Sequence, residues 1–247
     1  MNIAVPVSFD DVTLEWINAA LHEGGVLDAL IASVIVEPMH PSKGLIGDLA
    51  TIYVTYRRGS GPSAFVLKLP AANPDSRHIG EMLHAYAREV AFYRHVAPHA
   101  VDTRLARCYN SGADEHAGRW AILLESIEAD EFNFFAGATM AQANAAVDAL
   151  ADFHHLWWDA ADPFDWMPGF DTSGVGGLTS LWLANLPFFV DKYREVLPDP
   201  TAEWVLAFAP RLSTWSARAA EEPLTMVHSD YRIDNLLFQG DQVTMID

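Results

Sequence analysis

Residues 224–247 constrain this chain more than any other stretch. An apolar run, Leu224-Thr225-Met226-Val227, delivers His228-Ser229-Asp230, and Asn235 follows five residues after the aspartate. Residues 236–238 and 243–246 then read as two short strands, joined across Gln239-Gly240-Asp241-Gln242, with Asp247 after the second. A hairpin returns the chain to where it started. Asp247 is therefore expected beside Asn235 and Asp230, which gathers three side chains able to bind a hard cation or accept a proton.

The rest of the chain supplies two kinds of surroundings for that spot. Asp10 and Asp11 can cap a helix over 10–22, ended by Gly24-Gly25. Residues 31–39, 49–57 and 64–69 alternate or are β-branched and read as strands. Residues 74–96 carry Ile79, Met82, Leu83, Tyr86, Val90 and Tyr93 at helical spacing. Strands are expected again at 105–109 and 120–124, separated by a loop at 112–118. The order is β-β-β-α-β-β. From Glu125 onward the pattern turns helical. Thr139-x-x-Gln142 has the spacing of a capping box, and further helices are expected at 181–196, kinked at Pro187, and at 202–220, broken at Pro210. The reading is α+β: a β-rich part over 1–126 and a helix-rich part over 127–247.

Composition removes several functions. Lys+Arg number 15 against 33 Asp+Glu, a net charge of −18, which argues against nucleic acid as a partner because phosphate neutralisation needs basic clusters. Cys108 is the single cysteine, so an internal disulfide and a cysteine zinc cage are both excluded. No apolar run approaches a bilayer span, and the best candidate, 181–190, is interrupted by Asn185 and Pro187. The N-terminus carries no positive charge that would mark a signal peptide. A cytoplasmic protein without a membrane partner is the expectation. No GxxxxGK[ST] occurs, which excludes a P-loop NTPase.

The string His228-Ser-Asp-Tyr-Arg-Ile-Asp-Asn-Leu-Leu-Phe238, with Ile246-Asp247 behind it, resembles the catalytic segment of the aminoglycoside phosphotransferase and choline-kinase-like (ecdysteroid-kinase-like) family, within the protein-kinase-like superfamily. It departs in one place: Ser229 stands where that family normally has Gly. The resemblance implies a two-lobed kinase-like fold and ATP-dependent transfer of a γ-phosphoryl group to a hydroxyl of a small molecule. Asp230 would be the base, with His228 beside it in the catalytic set, and Asn235 and Asp247 would hold Mg²⁺.

Upstream residues fit the same resemblance. Of the three lysines, Lys43, Lys68 and Lys192, Lys68 sits inside the apolar strand Phe65-Val-Leu-Lys-Leu69 and needs an anionic partner or water. The family's helix glutamate is matched by Glu89 in Glu89-Val-Ala-Phe-Tyr93, with Glu81 as the local rival. Ser42-Lys43-Gly44-Leu-Ile-Gly47-Asp48 is either the phosphate-covering loop, through Gly44 and Gly47, or a plain surface turn. Adenine would meet the backbone from Glu125 to Ile127.

Residues 111–180 hold twelve acidic residues against the single Arg119. That field could steer a cationic, hydroxylated acceptor, or it could serve solubility alone. His154-His155 reads as one core and one surface histidine, since neighbours on a helix diverge by about 100°. The family continues past this Asp with further helices, which leaves a catalytically inactive nucleotide-binding fragment or pseudokinase-type scaffold as the alternative. A hydrolase built on His228 and Asp230 lacks a Gly-x-Ser-x-Gly elbow.

Overall fold

The computed structural model describes residues 3–26, 28–39, 46–100, 103–130, 137–160, 164–167, 169, 172–221 and 223–247, apart from the side chains of 172–179, 181 and 199. The chain divides into two units: Met1–Phe153 with His228–Asp247, and His154–Val227.

Five strands form the sheet of the first unit: β1 (Leu30–Pro38), β2 (Gly47–Arg58), β3 (Ala64–Pro70), β4 (Cys108–Asp114) and β5 (Arg119–Glu125). The spatial order is β1-β2-β3-β5-β4, with every neighbouring pair antiparallel. Strict alternation in β3 gives each face a different job. Phe65, Leu67 and Leu69 are buried in a cluster with Ala50, Ile52, Ala121 and Leu123. That cluster also holds Trp16, Ile17, Ala20 and Leu21 of α1 (Leu14–Glu23), whose i, i+1, i+4, i+5 spacing makes one apolar stripe. On the opposite parity Val66 and Lys68 pair with Leu124 and Ile122. Ile122 and Leu124 pack on Val90 and Tyr93 of α3 (Ala85–His95). Lys68 therefore points to the α3 side because its strand neighbours are needed under α1.

The observed elements correct several expectations. Asp10 and Asp11 lie in a 3₁₀ turn, and Thr13 caps α1 instead, its hydroxyl accepting from Trp16 N at 3.2 Å. The helix expected over 74–96 is two helices, α2 (Pro74–Met82) and α3, separated by His84 at φ +52°. The strand expected at 105–109 starts at Cys108, and Gly112 lies inside β4. Leu105 instead forms a lone parallel bridge with Met245.

Beyond β5, α4 (Met140–Leu156) opens with the expected capping box: Gln142 N donates to Thr139 Oγ1 at 3.2 Å and Thr139 N donates to Gln142 Oε1 at 3.0 Å. The hairpin of β6 (Leu236–Gln239) and β7 (Gln242–Met245) is in register, Gln239 opposite Gln242, and turns at Gly240 with φ +61°. Its inward residues Leu236, Phe238, Val243 and Met245 are buried.

The second unit is helical. It holds the end of α4, then α5 (Thr172–Lys192), α6 (Asp199–Phe208) and α7 (Leu212–Ala219). α5 begins earlier than residue 181 and carries Pro187 within it. Pro210 lies in the 3₁₀ turn that separates α6 from α7. Trp204 stacks on Phe208 at 5.1 Å between ring centres, and Trp204, Trp215 and Phe188 stay exposed. No described helix is long and apolar enough to cross a membrane.

Candidate active site

Lys68 lies on the sheet face under α3. Its Nζ lies 2.9 Å from both carboxylate oxygens of Glu89, and the two side chains are 12% and 14% exposed. Glu89 reaches it because α3, re-aimed after His84, turns the 86, 89–90, 93 stripe to the sheet; Glu81 is exposed on α2. Lys68 Nζ also donates to Asp247 Oδ1, at the end of the β6–β7 hairpin. Burial alone would push the lysine pKa down. The Glu89 and Asp247 carboxylates overcome that and raise it above the ordinary value, so Lys68 stays charged. Burial pushes the Glu89 carboxyl up, and Lys68 opposes the shift. Gly47, in β2, leaves room for the lysine stem: a Cβ there would lie 3.1 Å from Lys68 Cε and 3.2 Å from the Leu69 carbonyl oxygen. Gly44 lies outside the described residues.

The loop before β6 is tied to the same hairpin. His228 Nε2 is 3.1 Å from the Ile246 carbonyl oxygen, and Ile246 N donates to the Asn235 carbonyl at 3.0 Å. Buried Asn235 donates through Nδ2 to the Asp230 carbonyl at 3.0 Å and to Asp230 Oδ2 at 3.1 Å. With its nitrogen engaged, the amide has its oxygen left as a ligand atom. Ser229 adopts φ +67°, the left-handed region in which Gly is unstrained. Tyr231 OH donates to the Ala146 carbonyl at 2.5 Å and so fastens the loop to α4. Asp230 itself is exposed.

Glu125 ties the end of β5 to the residue before β4. Its N donates to the Arg107 carbonyl at 2.9 Å and its Oε1 accepts from Arg107 N at 2.7 Å. Ile127 lies in the irregular segment that follows. That segment is joined to the hairpin, since Asp130 N donates to the Phe238 carbonyl and Gly240 N to Asp130 Oδ2, both at 2.7 Å. Of the residues named from sequence, Lys68, Glu89 and Asp247 form one ion-paired group, while Asp230, Asn235 and His228 form a bonded loop whose anchor, Ile246, is the neighbour of Asp247.

Three further participants are not marked by any motif in the sequence. Arg232 and Asp234 lie within the loop, with Arg232 Nη1 2.8 Å from Asp234 Oδ2; the alternation Asp230-x-Arg232-x-Asp234 is the available signal. Tyr86 OH donates to the Ile46 carbonyl, which links α3 to the start of β2. Among the described residues no three His, Cys, Asp or Glu side chains gather to hold a metal. The candidate donor set is instead the Asn235 amide oxygen and the Asp247 carboxylate. These are hard ligands and few, which suits Mg²⁺ completed by phosphate oxygens and water. His154 is half-buried and His155 exposed.

Comparison with known proteins adds the lineage. The sequence profile of the phosphotransferase enzyme family (APH) matches residues 51–247. A comparison with curated proteins gives no match. Among solved structures, a candidate aminoglycoside phosphotransferase from Ralstonia eutropha JMP134 aligns with a TM-score of 0.53 at 17% identity, over 93% of this chain and 64% of that one. A choline kinase from Cryptosporidium parvum Iowa II aligns at 0.49 and 13% identity, over 87% of this chain and 57% of its own. APH(2")-IIa, solved with streptomycin and ATP, aligns at 0.49 and 14% identity, over 98% of this chain and 71% of its own. The chain thus spans less than two thirds of the Ralstonia protein and of the choline kinase. The α+β fold is shared with the Ralstonia protein, and the chain belongs to the phosphotransferase enzyme family.

Proposed function

We propose that the chain binds ATP with Mg²⁺ and transfers the γ-phosphoryl group to a hydroxyl of a small molecule. The observation that carries this reading is the meeting of Lys68, Glu89 and Asp247 in one charge cluster, with the Asp230–Asn235 loop bonded to Ile246 next door. A buried lysine held by two carboxylates is positioned for phosphate oxygens. The carboxylate it shares with the hairpin end is the one a divalent ion would recruit.

The roles follow from placement. Lys68, fixed by Glu89, would hold phosphate oxygens and offset their charge. Asn235 and Asp247 would hold Mg²⁺, which supplies charge neutralisation at the phosphates when bound. Asp230 would orient the acceptor hydroxyl and take its proton as the oxygen bonds to the γ-phosphorus and the bond to the β-phosphate oxygen breaks, releasing ADP. His228, bonded to Ile246, would act by positioning the residue before Asp247. Backbone from Glu125 to Ile127 would meet adenine, and Gly47 would keep β2 close over Lys68. Positioning and electrostatics supply most of such a reaction. The acidic stretch over 111–180 suits a cationic, hydroxylated acceptor.

The test is Asp230→Asn, assayed by ADP release with a panel of hydroxylated acceptors and by calorimetric titration of Mg·ATP. Turnover should fall by at least about a thousandfold while nucleotide affinity stays within a few-fold. Near-normal turnover in the variant would remove Asp230 from the role. Nucleotide binding without turnover in the parent chain would favour the binding-scaffold reading.

A further inference from the structure

The two carboxylate oxygens of Asp230 have unequal surroundings. Arg232 Nε donates to Oδ2 at 3.1 Å, and Asn235 Nδ2 donates to the same oxygen at 3.1 Å. Among the described residues every bond to this carboxylate falls on Oδ2. The backbone repeats the pattern: the Asp230 carbonyl accepts from Arg232 N at 2.9 Å and from Asn235 Nδ2 at 3.0 Å. Arg232 is in turn anchored by Asp234, 2.8 Å away through Nη1, at the head of a 3₁₀ turn closed by Asn235 N donating to the Arg232 carbonyl at 2.9 Å. Asp230 and Arg232 are 62% and 49% exposed, so neither is held by packing. Their geometry comes from these bonds.

We infer that Arg232 is a positioning residue for the base. Together with Asn235 it pins Oδ2, which leaves Oδ1 as the oxygen presented to the acceptor hydroxyl, and Asp234 keeps the guanidinium in place. An exposed aspartate without the pin would rotate about its side-chain bonds and offer a usable lone pair only part of the time. A planar guanidinium can hold one oxygen through Nε while another nitrogen meets a second carboxylate. An ammonium is a point charge and cannot do so in one geometry. Asn235 thus has two duties: its nitrogen orders the base, and its oxygen is the ligand atom left over. The inference rests on Asp230 being the base.

The experiment uses the whole chain with Arg232→Ala, Arg232→Lys, Asp234→Asn and Asp230→Asn. It compares kcat and KM for ATP and acceptor, the thermal midpoint, and the ¹⁵N–¹H signal of Arg232 Nε. Arg232→Ala should lower kcat by about tenfold to a hundredfold, with both KM values within about twofold and the midpoint unchanged. Added ethylguanidinium should restore part of kcat. Arg232→Lys should recover less than half of the loss, and Asp234→Asn should lose a few-fold in kcat alone. In the parent chain the Nε–H should exchange slowly, and that protection should vanish in Asp230→Asn whether or not the chain turns over. Full kcat in Arg232→Ala, a rise in KM for ATP as the sole effect, or an Nε–H signal indifferent to Asp230→Asn would overturn the inference. Should Asp230→Asn remain active, the base assignment fails instead; an inactive Asp230→Asn beside a fully active Arg232→Ala rejects the role of Arg232 alone.

Discussion

Ser229 holds a left-handed backbone conformation at φ +67°, between the half-buried His228 and the exposed Asp230. A residue with a Cβ is strained there by roughly 1 kcal/mol relative to Gly. Ser229→Gly should therefore raise the thermal midpoint by a few degrees without loss of turnover; a lower midpoint would mean that the hydroxyl earns its place through a contact of its own. Lys68 and Glu89 pose the opposite problem, because both are nearly out of water and Glu89 is tolerable there only beside the lysine's charge. Lys68→Met leaves Glu89 buried without its cation and should cost roughly 3 kcal/mol in denaturant unfolding, while Lys68→Met with Glu89→Leu should recover most of that stability. Nucleotide binding should be lost in both. Recovered binding in the double variant would show that the pair is only a packing device.

At the scale of the element, two chain breaks decide where side chains arrive. α1 ends in a Schellman arrangement, with Val26 N donating to the Leu21 carbonyl at 2.9 Å and Gly25 N to the His22 carbonyl at 3.2 Å, and Gly25 at φ +84°. Gly24 is required for a different reason. Its own φ is ordinary at −73°, but a Cβ would fall 2.2 Å from the Tyr109 carbonyl oxygen, so the helix end could not lie against β4. Gly24→Ala should destabilise the chain by about 2 kcal/mol, read as a lower urea midpoint, because the clash is with backbone that cannot swing aside. The second break, at His84, was hidden from a reading of periodicity. Tyr86, Val90 and Tyr93 keep their spacing on either reading, and nothing in the composition of 83–85 announces a left-handed residue. Yet the break re-aims α3, and with it Glu89. Pro210, by contrast, announced its own interruption, since proline removes the donor a helix needs.

Across the whole molecule, the residues proposed to hold the nucleotide and metal, Lys68, Glu89, Asn235, Asp247 and the backbone from Glu125 to Ile127, belong to the unit formed by Met1–Phe153 and His228–Asp247. A ligand that binds only the native state stabilises it by mass action, by roughly 2.7 kcal/mol at a hundred times its dissociation constant. Calorimetry with saturating Mg·ATP should therefore raise the unfolding transition of that unit by several degrees. A shift confined to the helical unit, His154–Val227, would place the nucleotide elsewhere. The exposed Trp204, Trp215 and Phe188 lie in that helical unit, where the sequence offered composition but no motif.

Amino-acid order alone determined the strand parities, the hairpin of 236–245, the capping box at Thr139 and the list of polar residues in the terminal loop. All of these depend on neighbours within a few residues, where spacing and side-chain type dictate direction. Only the tertiary structure decided that Lys68 meets Glu89 and not Glu81, that Asp247 joins them across most of the chain's length, and that Arg232 holds one oxygen of Asp230. Those outcomes depend on which sheet face α1 covers, on how far α3 turns after His84, and on the bonds of β7 and its flank to residues 104–106. They are contacts between distant segments, set by the packing of the whole unit, and no local periodicity encodes them.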